Sequence, residues 1–165
     1  MIAGSPVLAG RATSGVPVAL APLATRLPGL LRRLTGAHAA LFLATKGRLL
    51  GRWFGARILV LETVGRRTGQ PRATPLVYLR DGPDFVVVPA NGGAHSEPAW
   101  WLNLRAADDA VAVLGRDRCR VRPREATGPE RERLWQRFAT VTPVEDYQRR
   151  ACRRLPIVVL APYSD

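Results

Sequence analysis

Lysine is almost missing from this chain: of its 25 basic residues, only Lys46 is not an arginine. Acid is also scarce, with 13 Asp and Glu for a net charge of +12, and none occurs before Glu62. A coding bias toward arginine accounts for Arg over Lys but not for the excess of base over acid. That excess calls for a polyanionic partner or an anionic surface nearby. Cysteine is limited to Cys119 and Cys152. They form no CxxC pair and are too few for a disulfide framework. His38 and His95 lie far apart with no helical HExxH, so no metal site is expected. Long apolar runs are missing too. Residues 12–25 are uncharged but are broken by Pro17 and Pro22, too short to span a bilayer. No charged segment introduces them as a secretory signal, so a cytoplasmic location is expected. GxxxxGK[ST] and GxGxxG are both absent, which excludes a Walker loop and a dinucleotide-binding βαβ unit.

The 165 residues, 47% of them hydrophobic, suffice for one folded domain. Residues 1–25, rich in Gly, Pro and Ala, read as a loosely held arm, and 26–165 as the domain. Leu27, Leu30, Leu31 and Leu34 repeat at helical spacing beside Arg26, Arg32 and Arg33. Two readings of a helix over 27–46 stay open: packing on the domain, or peripheral contact with an anionic membrane, at its cytoplasmic face. Strands are expected at 57–63, 72–79, 85–88, 111–114, 118–124 and 157–160, with turns at Asp81-Gly82 and Gly115. A short helix carries Trp100 and Trp101, with Ser96 as its N-cap and Pro98 just inside. Capping-box spacing at Thr127–Glu130 and Thr142–Glu145 announces two more helices. Six strands with helices interposed, but no regular βαβ repeat, predict an α+β, barrel-like sheet.

The chemistry concentrates at two bends. Gly65-Arg66-Arg67-Thr68-Gly69-Gln70-Pro71-Arg72 gathers three guanidiniums and a hydroxyl at a glycine turn. Forked guanidiniums grip phosphate and carboxylate at two points, which lysine does not reproduce. After a strand-like run comes Pro89-Ala90-Asn91-Gly92-Gly93, a glycine bend entering the Trp100 helix. Taken alone, the first motif reads equally well as a solvated hairpin tip.

The whole set is more specific: Thr63-x-Gly65-Arg-Arg-Thr-Gly-Gln-x-Arg72-x-x-Pro75-Leu76, then Asn91-Gly92-Gly93, then Pro98-x-Trp100-x-Leu102-Asn103-Leu104. Together with Tyr147-Gln148 and Arg154-Leu-Pro156-Ile-Val-Val-Leu160, it resembles the deazaflavin-dependent nitroreductase and quinone reductase family, over about residues 34–162. The resemblance implies a split β-barrel of the flavin-reductase type with short flanking helices. It also implies coenzyme F420 as cofactor, with FMN as the alternative, and hydride transfer from reduced F420 to a quinone, nitro compound or other electron-poor acceptor. By the resemblance, Arg66, Arg67, Thr68, Gly69, Gln70 and Arg72 hold the phosphate and glutamate tail. Val60, Leu61, Glu62, Leu76, Val88, Pro89, Ala90, Asn91 and Gly92 line the ring system, with Trp100 and Asn103 facing the same bend. Gly92 and Gly93 permit close backbone approach. Tyr147 is the candidate catalytic proton donor, and Tyr78 the second choice.

The chain also departs from the family pattern. Ala90 stands where many relatives carry serine, and Val77 and Val144 stand where another branch has tyrosines. The resemblance therefore implies cofactor binding more firmly than nitroimidazole activation. Arg116, Arg118, Arg120, Arg122 and Arg124 alternate, as on one face of a strand. They lack interleaved aromatics and a nucleic-acid motif, so a solvated sheet face is favoured and no nucleic acid is expected. Two alternatives to the enzyme remain: a non-catalytic flavin or deazaflavin binder, and a basic nucleic-acid-binding module. A monomer and a homodimer are both compatible with the sequence.

Overall fold

The structure is a computed structural model that describes residues 52–53 and 56–164. The N-terminal arm and the leucine–arginine helix expected over 27–46 lie outside the described residues. The strands are β1 (Arg52–Trp53), β2 (Ala56–Val64), β3 (Pro71–Val77), β4 (Leu79–Asp81), β5 (Asp84–Val87), β6 (Ala110–Leu114), β7 (Asp117–Glu125) and β8 (Val158–Tyr163). Among the described residues the helices are α1 (Ala99–Ala107), α2 (Gly128–Ala139) and α3 (Val144–Ala151), and Asn91–Gly93 forms a 3-10 turn. All strands join one antiparallel sheet in the order β1-β2-β6-β7-β8-β5-β4, with β3 on the other side of β2. The architecture is therefore α+β, with an antiparallel sheet and few helices.

Hairpin logic explains most of this order. Gly82 (φ 58°) and Gly115 (φ 65°) supply the left-handed residue that the β4–β5 and β6–β7 turns need. The 72–79 strand expected from the sequence is real but divided. Its first part pairs with β2, its last part pairs with β5, and only Tyr78 separates the two. Since β2 and β5 lie toward opposite ends of the strand order, the sheet must curve to bring them together. Tyr78 sits at this seam, its N–H donating to the Arg57 carbonyl at 3.1 Å and its ring edge-on to Phe85. Among the described residues no ladder closes the sheet into a ring.

Strand alternation sorts the apolar residues into two main cores. Leu59 and Leu61 of β2, Phe85 and Val87 of β5, and Val158 and Leu160 of β8 pack with Trp100, Trp101 and Leu104 of α1. Val86 and Val159 point the other way, onto Leu134 and Phe138 of α2 and Val144 and Ala151 of α3. Strands covered on both faces read as continuous apolar runs, which is why β5 and β8 show no polar alternation.

The helix starts differ from the expected caps. Pro98, not Ser96, is the N-cap of α1, and Pro143 is that of α3. Thr127 caps α2 by position, without a side-chain bond. Proline fixes the extended entry to α1, so the capping hydroxyl expected there is not used. Arg116 lies in the β6–β7 turn, so four arginines, not five, alternate along β7.

Candidate functional site

The segment between β2 and β3 folds into a tight turn. The Gly65 N–H donates to the Gln70 carbonyl at 2.8 Å, and the Gly65 carbonyl accepts from Gly69 (2.7 Å) and Thr68 (3.1 Å). A Cβ on Gly65 would lie 2.9 Å from the Thr68 hydroxyl, so only glycine allows the turn to close this tightly. The consequence is a rim of exposed side chains: Arg66, Arg67, Thr68 and Gln70, with Arg72 exposed on β3 beside them. One side chain fastens the rim to the body of the protein. Asn103, buried on α1, accepts from the Arg66 backbone N–H at 3.2 Å and from its guanidinium at 3.3 Å. Among the described residues neither Arg67 nor Arg72 has a side-chain partner.

The second bend is held from three directions. Asn91, Gly92 and Gly93 are three consecutive left-handed residues (φ 50°, 64° and 84°), a run that needs external support. The Asn91 amide donates to the Ser96 carbonyl at 3.2 Å. Arg153 donates to the Pro89 carbonyl at 2.8 Å and more weakly to that of Ser96. Gly93 is pressed on α3, where an added Cβ would meet the Tyr147 carbonyl at 3.2 Å and the Arg150 Cβ at 3.1 Å. Tyr147 is half-buried against the second core, and burial pushes its phenol above the usual tyrosine value despite the Arg150 cation over its ring.

The structure thus brings two groups of sequence-predicted residues together: Arg66 with Asn103, and Asn91–Gly93 with Tyr147. No hydrogen bond joins the arginine turn to the glycine bend among the described residues. Helix α1 is the element they share, because the bend leads into its start and its Asn103 holds the turn. Val60 and Leu61 are completely buried in the sheet, and Pro89, Ala90 and Trp100 are also buried. Leu76 and Val88 are half-buried at the margins of the two cores. Glu62 is engaged by Arg118 of β7 through two bonds of 3.1 and 2.6 Å. Val144 is fully buried in the second core, where a tyrosine would overpack, and Val77 lies partly buried at its margin.

Sequence reading gave Arg150 and Arg153 no role, and took Arg118 only as part of the alternating arginines and Ser96 only as a helix cap. Arg150 and Arg153 sit in a run of basic residues that looks like a solvated helix end, and only their spacing relative to Tyr147 hints at more. The β7 arginines form a paired surface: Arg118 with Glu62, Arg120 with Asp109, and Arg124 with Glu130, while Arg120 and Arg122 lie over the Tyr163 ring.

The model of the family described as F420H(2)-dependent quinone reductase matches residues 34–162. An F420H(2)-dependent quinone reductase of Mycobacterium tuberculosis is 37% identical over 133 residues, covering 78% of this chain and 89% of that protein. A solved F420-H2 dependent reductase superposes with a TM-score of 0.57 at 26% identity, covering 62% of this chain and 92% of its own. A chain solved as a domain-swapped dimer shares the fold, with a TM-score of 0.59 at 23% identity, covering 81% of this chain and 98% of that one.

Proposed function

The chain belongs to the F420H(2)-dependent quinone reductase family, and we infer that its arginine turn and glycine bend seat the cofactor with Tyr147 facing the acceptor. The activity is oxidoreductase chemistry: hydride transfer from reduced coenzyme F420 to a quinone. When bound, the reduced deazaflavin supplies the hydride; the protein supplies position, electrostatics and exclusion of water.

The residues present fit such a group. F420 carries a phosphodiester and carboxylates, and the 65–69 turn offers Arg66, Arg67 and Arg72 to them. The observation that carries the assignment is the Asn103 grip on Arg66, which fixes one guanidinium in advance while Arg67 and Arg72 keep theirs uncommitted. Preorganised charge of this kind binds an anion with less entropy loss than a free side chain. The Asn91–Gly93 bend presents open backbone without a Cβ at Gly92, a surface on which a flat ring can lie close, while Gly93 is closed off by α3. Quinone reduction builds negative charge on oxygen, and Tyr147 carries a phenol proton to give it, at a cost that burial of the phenol increases. Ala90 has no hydroxyl to add beside the ring, which favours a quinone over a nitro acceptor.

The curved sheet with Tyr78 at its seam supports a split β-barrel of the flavin-reductase type. Among the described residues β4 ends the strand order, and that edge supports a homodimer as well as a monomer.

A fluorescence titration with oxidised F420, beside FMN and a duplex oligonucleotide, tests the cofactor assignment. Saturable binding of F420 alone is expected; preference for FMN changes the cofactor, and binding of the oligonucleotide alone overturns the site. Oxidation of reduced F420 by a quinone then separates an enzyme from a non-catalytic binder.

A further inference from the structure

Arg150 follows Tyr147 by three residues on α3, so the two side chains share a helix face. The guanidinium carbon lies 5.2 Å from the centre of the phenol ring, within the range in which a cation is attracted to an aromatic face. Nε donates to the Asp146 carbonyl at 3.3 Å, which fixes the direction of the group. Its other N–H groups donate to no protein atom among the described residues. The Asp146 carboxylate, four residues earlier on the same helix, is engaged by Arg149 instead. Arg150 therefore keeps a positive charge that no acidic side chain neutralises.

The same side chain is wedged against the bend. A Cβ on Gly93 would stand 3.1 Å from the Arg150 Cβ and 3.3 Å from its Nε. Arg150 thus touches the bend on one side and faces the phenol ring on the other. The charges acting on the phenol are Arg150 and Asp146, both from α3. Arg153, from the segment after α3, holds the bend through the Pro89 carbonyl.

We propose that Arg150 is a positioning residue for Tyr147, holding an uncompensated cation over the ring to stabilise the phenolate left when Tyr147 gives up its proton. The proposal rests on the assignment of Tyr147 as donor to the acceptor. The quinone becomes a hydroquinone by taking up one hydride and one proton. The proton comes from the Tyr147 O–H bond, whose electron pair stays on the phenolic oxygen, and solvent later restores the proton. A cation over the ring favours the charged product of that step more than the neutral phenol. It lowers the cost of the transfer without touching the acceptor.

Two measurements on the full chain test this. The first is the ultraviolet absorbance of phenolate against pH in the protein without cofactor, using Tyr147→Phe to isolate the Tyr147 signal. Arg150→Gln should move the Tyr147 titration to higher pH, and Arg150→Lys, which keeps the charge, should restore it toward the parent. The second is quinone turnover. Arg150→Gln should lower kcat roughly tenfold, leave KM for reduced F420 unchanged, and add no further loss in the Tyr147→Phe background. An unmoved titration with impaired Tyr147→Phe turnover overturns the role of Arg150 alone. Equal losses from Arg150→Gln with and without Tyr147 overturn it too. Full turnover by Tyr147→Phe overturns the donor assignment, and this proposal with it, whatever the titration shows.

Discussion

A single carbonyl oxygen on Asn103 accepts from both the backbone N–H and the guanidinium of Arg66, so helix α1 sets the position of the arginine turn. The contact spans 37 residues of sequence and crosses from a buried helix to an exposed rim. Asn103→Leu keeps the volume and removes the acceptor. F420 affinity should fall by about 1–2 kcal/mol, the worth of one to two hydrogen bonds, while its salt dependence persists because all three arginines remain. A titration at two ionic strengths checks both parts. Unchanged affinity would mean that the turn holds Arg66 without help.

Removing the arginines has a different signature. Arg66→Ala with Arg67→Ala should weaken F420 binding by several kcal/mol, since each charge-assisted bond contributes about 1.5–3 kcal/mol. Because both side chains are exposed, screening should place the real loss at the low end. The dependence of affinity on salt should flatten at the same time. A loss of affinity with the salt slope intact would point to a misfolded turn instead of a missing charge.

Much of the fold was legible because its signals are local. Asp81-Gly82 and Gly115 mark real hairpins, and the apolar runs of β2, β5 and β8 are real strands. The division of the 72–79 strand at Tyr78 was not legible. Both halves have strand composition, and only the curvature of the whole sheet decides that they pair with different neighbours. The caps failed at Ser96 and Thr142 because a following proline set the backbone before a hydroxyl had any use. At the site, Gly69, Asn91 and Gly93 announce their left-handed conformations by residue type. Arg150 and Arg153 do not, because an arginine's role depends on which carbonyls and rings come within its reach.

Gly93→Ala separates close approach from backbone strain. Gly92 and Gly93 are both left-handed, so a Cβ at either costs roughly 1–2 kcal/mol. At Gly92 the Cβ meets nothing within 4 Å, whereas at Gly93 it meets the α3 backbone and Arg150. Gly92→Ala should therefore lose stability and, through the ring seated on the bend, F420 affinity, without disturbing α3. Gly93→Ala should in addition push α3 outward and lower quinone turnover well beyond any loss of F420 affinity. Thermal melts and steady-state kinetics on the two variants make the comparison, and equal turnover would remove α3 from the site.

The last expectation concerns acid stability and a contact remote from the site. Asp81, at the β4–β5 turn, accepts two bonds from Arg133 of α2 at 2.8 and 2.9 Å and a further bond from Arg137. Hydrogen bonding from Arg133, opposed by partial burial and aided by Arg137, lowers its pKa from 3.8 to about 2. A carboxyl with a depressed folded-state value binds its proton more readily when unfolded. The stabilisation is therefore complete above pH 3.8 and is lost as the pH falls through about 2. Asp81→Asn should melt at a lower temperature than the parent at neutral pH, by a small margin because the arginines are half-exposed. As the pH is lowered below 3.8 toward 2, the two melting curves should converge, and added salt should narrow the neutral-pH gap. A gap that stays constant down to pH 2 would show that the Asp81 carboxylate does not fasten α2 to the hairpin through charge.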